Sequence, residues 1–152
     1  MRKIDTLLAD YGSHHRTRGN LVCHAFGITL IVFGILSMLG LMGMPPAGAT
    51  AAEWLIAAAF VFYLALDVPL AFAILVPLAA LDLIARAVAD WRIGLAAFAA
   101  GWVFQAIGHA RFEHNRPAFF RNLVHLMVGP IFLVNEVVKA RRIPADERGT
   151  HP

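Results

Sequence analysis

Residues 21–43 read LVCHAFGITLIVFGILSMLGLMG, with no Asp, Glu, Lys or Arg among them. A helix rises about 1.5 Å per residue, so this stretch is long enough to cross the roughly 30 Å hydrocarbon core of a bilayer. It begins after a polar stretch holding Tyr11, His14, His15, Arg16 and Arg18. It is also too long for the core of a secretory signal, so it reads as a retained membrane helix. The run stops at Met44-Pro45-Pro46-Ala47-Gly48, where two prolines and a glycine forbid continuation.

Composition agrees with that reading. The 152 residues are 59% hydrophobic and 15% charged, which leaves too little polar surface to wrap a core in water. A net charge of +3 raises the question of nucleic acid, but the basic residues flank apolar segments instead of forming one stripe, so no nucleic-acid partner is expected. The single cysteine, Cys23, excludes an internal disulfide and any CxxC or CxxCH motif.

Three further apolar segments follow, at 51–66, 68–85 and 91–108, with Asp67 and Pro69 marking a hairpin between the first two. The first two are shorter than the usual twenty residues and call for tilt or local thinning. Asp82 and Arg86 stand one helical turn apart and read as a structural ion pair. Trp91 and Trp102 are interface anchors, while Gly94, Ala97 and Gly101 allow close helix packing. The polar stretch HARFEHNRPAFFRN leads to an apolar segment at 123–138, interrupted by Pro130, that reads as an interfacial or re-entrant helix.

The expectation is an all-α integral membrane bundle of about four transmembrane helices plus that closing helix. It forms one domain over 1–142, followed by a charged, disordered tail at 143–152. Four crossings return the chain to its starting side. Arg2, Lys3, Arg16 and Arg18 then share a face with Arg111, Arg116, Arg121, Lys139, Arg141 and Arg142, and the positive-inside bias makes that face cytoplasmic. A bacterial inner membrane is the expected location. The bilayer is the expected partner, with self-association left open.

Six of the seven histidines (His14, His15, His24, His109, His114 and His125) gather at this face. An imidazole inside an apolar helix needs a partner, which makes His24 and His109 candidate metal ligands. His14, His114 and His151 read as interfacial, and His15 and His125 are undecided on these grounds. Asn20 and His24, Gln105 and His109, and His109 and Glu113 are each spaced i, i+4, so each histidine shares a helical face with a polar group. Nitrogen ligands with one carboxylate and open positions suit non-haem Fe(II), and zinc fits the same atoms. No HExxH, GxSxG, P-loop or GxGxxG motif is present. A bis-histidine haem or zinc protein and a non-catalytic membrane scaffold are the alternatives.

The segments YGSHHRTRGNLVCHAFG, with Tyr11, His15, Asn20 and His24, and WVFQAIGHARFEHNRPAFF, with Gln105, Gly108, His109, Glu113 and Pro117, resemble the Mpo1-like family of 2-hydroxy fatty acid dioxygenases. The later NLVHLMVGPIFLVNEV, with Pro130 and Glu136, resembles that family's closing helix, so the resemblance spans residues 11–139. It departs at Arg16-Thr17-Arg18-Gly19, where a proline-containing turn is expected.

The resemblance implies a membrane-embedded enzyme that uses Fe2+ and O₂ to shorten a 2-hydroxy fatty acid by one carbon. His15, His24 and His109 would be iron ligands. Glu113 would be a fourth ligand or a base, with His114 and His125 as other candidates for the fourth position. Asn20 and Gln105 would support the site. Arg16, Arg18 or Arg116 could attract the substrate carboxylate to the membrane face, and the acyl tail would need an apolar slot open sideways to lipid.

Overall fold

The structure, a computed structural model, describes residues 3–13, 15, 17–44, 48–113 and 124–142, with the side chains of all but Met44, Glu113, His125 and residues 139–142. The charged tail at 143–152 lies outside the described residues.

The long apolar stretch forms α2 (Arg18–Leu39). It begins three residues earlier than its apolar run because the Thr17 hydroxyl accepts from the Asn20 N–H at 3.3 Å. It ends where Gly40 donates back to the Leu36 carbonyl at 2.7 Å. The proline-rich turn is bracketed by a two-residue antiparallel ladder, β1 (Gly43–Met44) and β2 (Ala49–Thr50). Thr50 then caps α3 (Ala51–Leu64) in a reciprocal box with Glu53. Asp67 opens α4 (Val68–Val88) by accepting from Leu70 N–H at 3.0 Å, so the expected hairpin break is a capping residue. Asp90 likewise caps α5 (Trp91–Ile107), which runs on as a π-helical turn at Gly108–Glu113.

Of these helices, α2, α4 and the α5 stretch Trp91–Phe112 are long and apolar enough to cross a membrane. The fourth expected crossing, α3, has 14 residues and spans only about 21 Å. It nevertheless returns the chain, because the start of α2 and the end of α5 lie side by side. The outer surface is apolar, with Val76, Leu83 and Val61 each about two-thirds exposed or more, as lipid-facing side chains would be.

α2 and α5 form the main interface of the bundle. They run antiparallel and meet glycine to glycine. A Cβ on Gly27 would sit 2.9 Å from the Gly101 carbonyl oxygen, and one on Gly101 would sit 2.7 Å from the Gly27 carbonyl oxygen. Two turns along, Gly34 faces Gly94 in the same way. Only glycine lets the backbones approach this closely, and it does so at a seven-residue repeat in both helices. Gly94 and Gly101 therefore pack as the sequence indicates.

On the other flank α3 and α4 are tied together by Arg86. Its guanidinium reaches Asp82 on its own helix and Glu53 on α3, each at 2.7 Å. The expected ion pair is thus one half of an interhelical clamp.

Residues 3–13, to which the sequence reading assigns no element and whose Tyr11 it puts in a polar stretch, are a helix. They form α1 (Lys3–Ser13), with Ile4 and Tyr11 buried and Leu7 and Leu8 packed on the same core. α1 lies against α6 (Val124–Arg142), whose Val128, Ile131 and Phe132 are buried. Pro130 removes one backbone donor from α6, and one turn is held from outside: the Tyr63 phenol donates to the Met127 carbonyl at 2.7 Å.

Two substitutions test these constraints. Gly101→Val should push α2 from α5 and lower the melting temperature in detergent by several degrees at least. Ala89 ends α4 in the left-handed region (φ 46°, ψ 36°), which costs a non-glycine residue about 1 kcal/mol. Ala89→Gly should raise the melting temperature in the same assay.

Candidate metal centre

The glycine register sets α2 and α5 at the same height, and one turn beyond Gly27 and two beyond Gly101 stand His24 and His109. Their ring centroids are 4.8 Å apart. His15, in the short link between α1 and α2, completes the group at 4.2 Å from His24 and 5.1 Å from His109. All three rings are at most 4% exposed.

Two of the rings are aimed by main chain. His15 Nδ1 lies 2.7 Å from the Tyr11 carbonyl oxygen, and His24 Nδ1 lies 3.0 Å from that of Asn20. A carbonyl can only accept, so in both rings the Nδ1 carries the hydrogen. Both neutral rings then present a bare Nε2, and these two nitrogens face each other at 2.9 Å. Two lone pairs at that distance repel unless a positive charge lies between them. Ligands about 2.1 Å from one ion and at right angles are roughly 3 Å apart, so the pair fits a shared cation. Within the triad the ligand atoms span up to 4.8 Å, slightly more than the roughly 4.2 Å that one ion bridges, so His109 would close in by about half an ångström. The donor set fits a metal of the nitrogen-ligated type.

The Tyr11 ring stacks on His15 with centroids 4.2 Å apart and planes 9° from parallel. Tyr11 thus holds His15 twice, by its ring face and by its carbonyl. Burial raises the phenol's pKa, which keeps it protonated. The sequence carries Tyr11 within its motif but gives it no role. The missed signal is the apolar spacing Ile4, Leu7, Leu8, Tyr11, a helical stripe.

His109 sits in the π-helical turn. That turn is packed against α2 at Gly108, where a Cβ would overlap the Asn20 amide oxygen. The Asn20 side chain is fully buried, and its amide oxygen and nitrogen find no hydrogen-bond partner among the described residues. Its carbonyl, by contrast, orients His24. The i, i+4 relation read from sequence is therefore realised through backbone. Gln105 is buried one turn from His109, with its side chain against Gly27.

From the three histidines a cavity of about 430 Å³ runs down the bundle. Tyr11, Tyr63 and Gln105 line it near the histidines, and beyond them the wall is apolar along Ile28, Ile31, Val32, Ile35 and Leu36 of α2. The remaining expected site residues fall elsewhere. Arg18 is exposed at the start of α2 and does not line the cavity. Arg16, Arg116, His14 and His114 lie outside the described residues, and Glu113 and His125 are placed only by their backbone.

A buried three-histidine cluster able to hold a metal, at the head of an apolar cavity, defines a helical membrane protein with a lipid-sized pocket behind a candidate metal centre. Within that class the chain belongs to the Mpo1-like family, whose model, described as 2-hydroxy-palmitic acid dioxygenase Mpo1-like, matches residues 1–141. The chain is similar to the 2-hydroxy-palmitic acid dioxygenase MPO1 of Saccharomyces cerevisiae, at 31% identity over 132 residues that cover 85% of this chain and 76% of the yeast protein. No solved structure matches the chain.

The double hold on His15 is testable. Outer-sphere partners of ligating histidines are worth about 10- to 100-fold in metal affinity. Tyr11→Phe should keep the metal affinity within a few-fold, and Tyr11→Ala should weaken it at least tenfold, measured by competition with a chromophoric chelator.

Proposed function

We propose that the protein is an Fe(II)-dependent dioxygenase that shortens 2-hydroxy fatty acids by one carbon. The observation that carries this reading is the facing pair of bare imidazole nitrogens beside His109, at the polar head of an otherwise apolar cavity. The family and the yeast relative's name support the substrate class.

In this reading His15, His24 and His109 hold the iron, and Glu113 serves as a fourth ligand or a base. When bound, the ion would supply Lewis acidity towards a hydroxy-carboxylate head and the redox chemistry that O₂ requires. The chain's own residues do the rest. The Tyr11 and Asn20 carbonyls keep His15 and His24 in the tautomer that leaves Nε2 available. Gln105 offers an amide to the substrate head where the wall turns from polar to apolar. Arg16, Arg18 and Arg116 attract the carboxylate to the membrane face before it enters. Apolar side chains along α2 take the tail and exclude water from the head.

In this reading the histidine end faces the cytoplasm, which the bias of basic residues in the sequence towards that end supports. A bis-histidine haem is disfavoured by the geometry, because His15 and His24 nitrogens 2.9 Å apart leave no room for a porphyrin plane between them.

The test is elemental analysis of detergent-purified protein together with O₂ uptake on 2-hydroxypalmitate. About one iron per chain and substrate-dependent O₂ consumption are expected. His24→Ala and His109→Ala should each lower turnover at least a hundredfold while the protein still inserts. Stoichiometric zinc with no O₂ uptake would overturn the reading.

A further inference from the structure

The cavity has a shape as well as a polarity. From His24 to Leu36 its wall follows α2 for twelve residues, about 18 Å, which is close to the roughly 15 Å that a single leaflet's acyl chains fill. Two of its lining residues reach the surface, Leu126 of α6 at 48% exposed and Leu55 of α3 at 40% exposed. The middle is closed. There Ile28, Ala59 and Leu78 line the cavity from α2, α3 and α4, and none is more than 9% exposed.

Ala59 has the smallest side chain of these three. It stands one turn from Tyr63, which faces the head, and one turn from Leu55 and Ile56, which face the far end. It shares a core cluster with Tyr63 and Leu78, against which Val32 also packs, and Val32 is about 12 Å along α2 from His24. A tail shorter than that distance stops before the Ala59 level. A longer tail has to pass it.

We propose that Ala59 is the residue that sets chain length in this protein: its missing side chain is the passage through which a long acyl tail threads from the histidine end towards Leu55. This rests on the dioxygenase reading for its substrate class and adds to it the specificity-determining position. Each methylene drawn through the passage gains close contact with its apolar wall, so long tails are favoured while the passage is clear.

The experiment compares 2-hydroxypalmitate with 2-hydroxyoctanoate in O₂-uptake assays on the intact, iron-loaded protein and on Ala59→Val and Ala59→Phe. The ratio of kcat/KM for the long acid to that for the short acid should fall in order of side-chain size, at least tenfold for Ala59→Phe, with iron per chain equal to that of the unaltered protein. Ala59→Val covers the case in which the larger residue prevents folding. An unchanged ratio in a variant that folds and holds its iron would overturn the proposal.

The two readings fail separately. If the unaltered protein holds metal but consumes no O₂ with either acid, the dioxygenase reading fails. The passage is then read by displacement of cis-parinaric acid, a fluorescent long-chain fatty acid. Weaker displacement by palmitate in Ala59→Phe, with octanoate unaffected, supports the passage, and equal displacement in all three proteins refutes it.

Discussion

Gly27 and Gly101 each place a carbonyl oxygen where the other's side chain would begin, and Gly34 repeats the arrangement against Gly94 two turns away. Lipid tails are as apolar as leucine, so helices in a bilayer gain little from hiding apolar surface from one another. Close van der Waals contact has to hold them instead. Backbones that touch at a seven-residue repeat have one register, and that register fixes the heights of His24 and His109. It also shapes the empty space. Because α5 lies chiefly on α2, its other flank is left to face α3 and α6 across the cavity.

The third histidine depends on a different principle. His15 belongs to no helix, and its position is secured by the chain just before it: the carbonyl of Tyr11 takes its hydrogen and the ring of Tyr11 covers its face. Tyr11 is held in turn by Phe132 of α6, at 4.9 Å between ring centroids. The amino-terminal and closing helices therefore act on the centre through contacts between the rings of Phe132, Tyr11 and His15, although neither carries a described ligand.

Much of this was legible in the residues alone. A long uncharged run has one meaning in a bilayer, and histidines within such runs stand out because burial demands a partner for them. Legible too were the small residues Gly94 and Gly101, the break at Asp67 and the Asp82–Arg86 pair. What stayed hidden is instructive. α1 escaped notice because its four apolar positions sit among lysine, aspartate and threonine, so its mean hydropathy is low while its spacing is helical. Glu53 joins Arg86 only once α3 and α4 are packed, and Tyr63 meets the Met127 carbonyl from 64 residues away. Such contacts have no local signature. The role of Asn20 in aiming His24 was visible as spacing, but the acting atom is a main-chain oxygen that any residue would supply. The choice of asparagine concerns the amide pressed on Gly108.

The brevity of α3 has a consequence beyond the fold. A helix of about 21 Å in a hydrocarbon slab of about 30 Å creates a hydrophobic mismatch, and a bilayer answers a short span by thinning beside it. α2, α4 and the stretch Trp91–Phe112 are each long enough to need no such adjustment, so the mismatch is one-sided. Thinning of this kind would fall along the flank where α3 borders the cavity, and an amphiphile there would approach with its polar end lowered towards the midplane. The same mismatch favours thin membranes over thick, sterol-rich ones, so the length of one helix bears on where in a cell such a protein comes to rest.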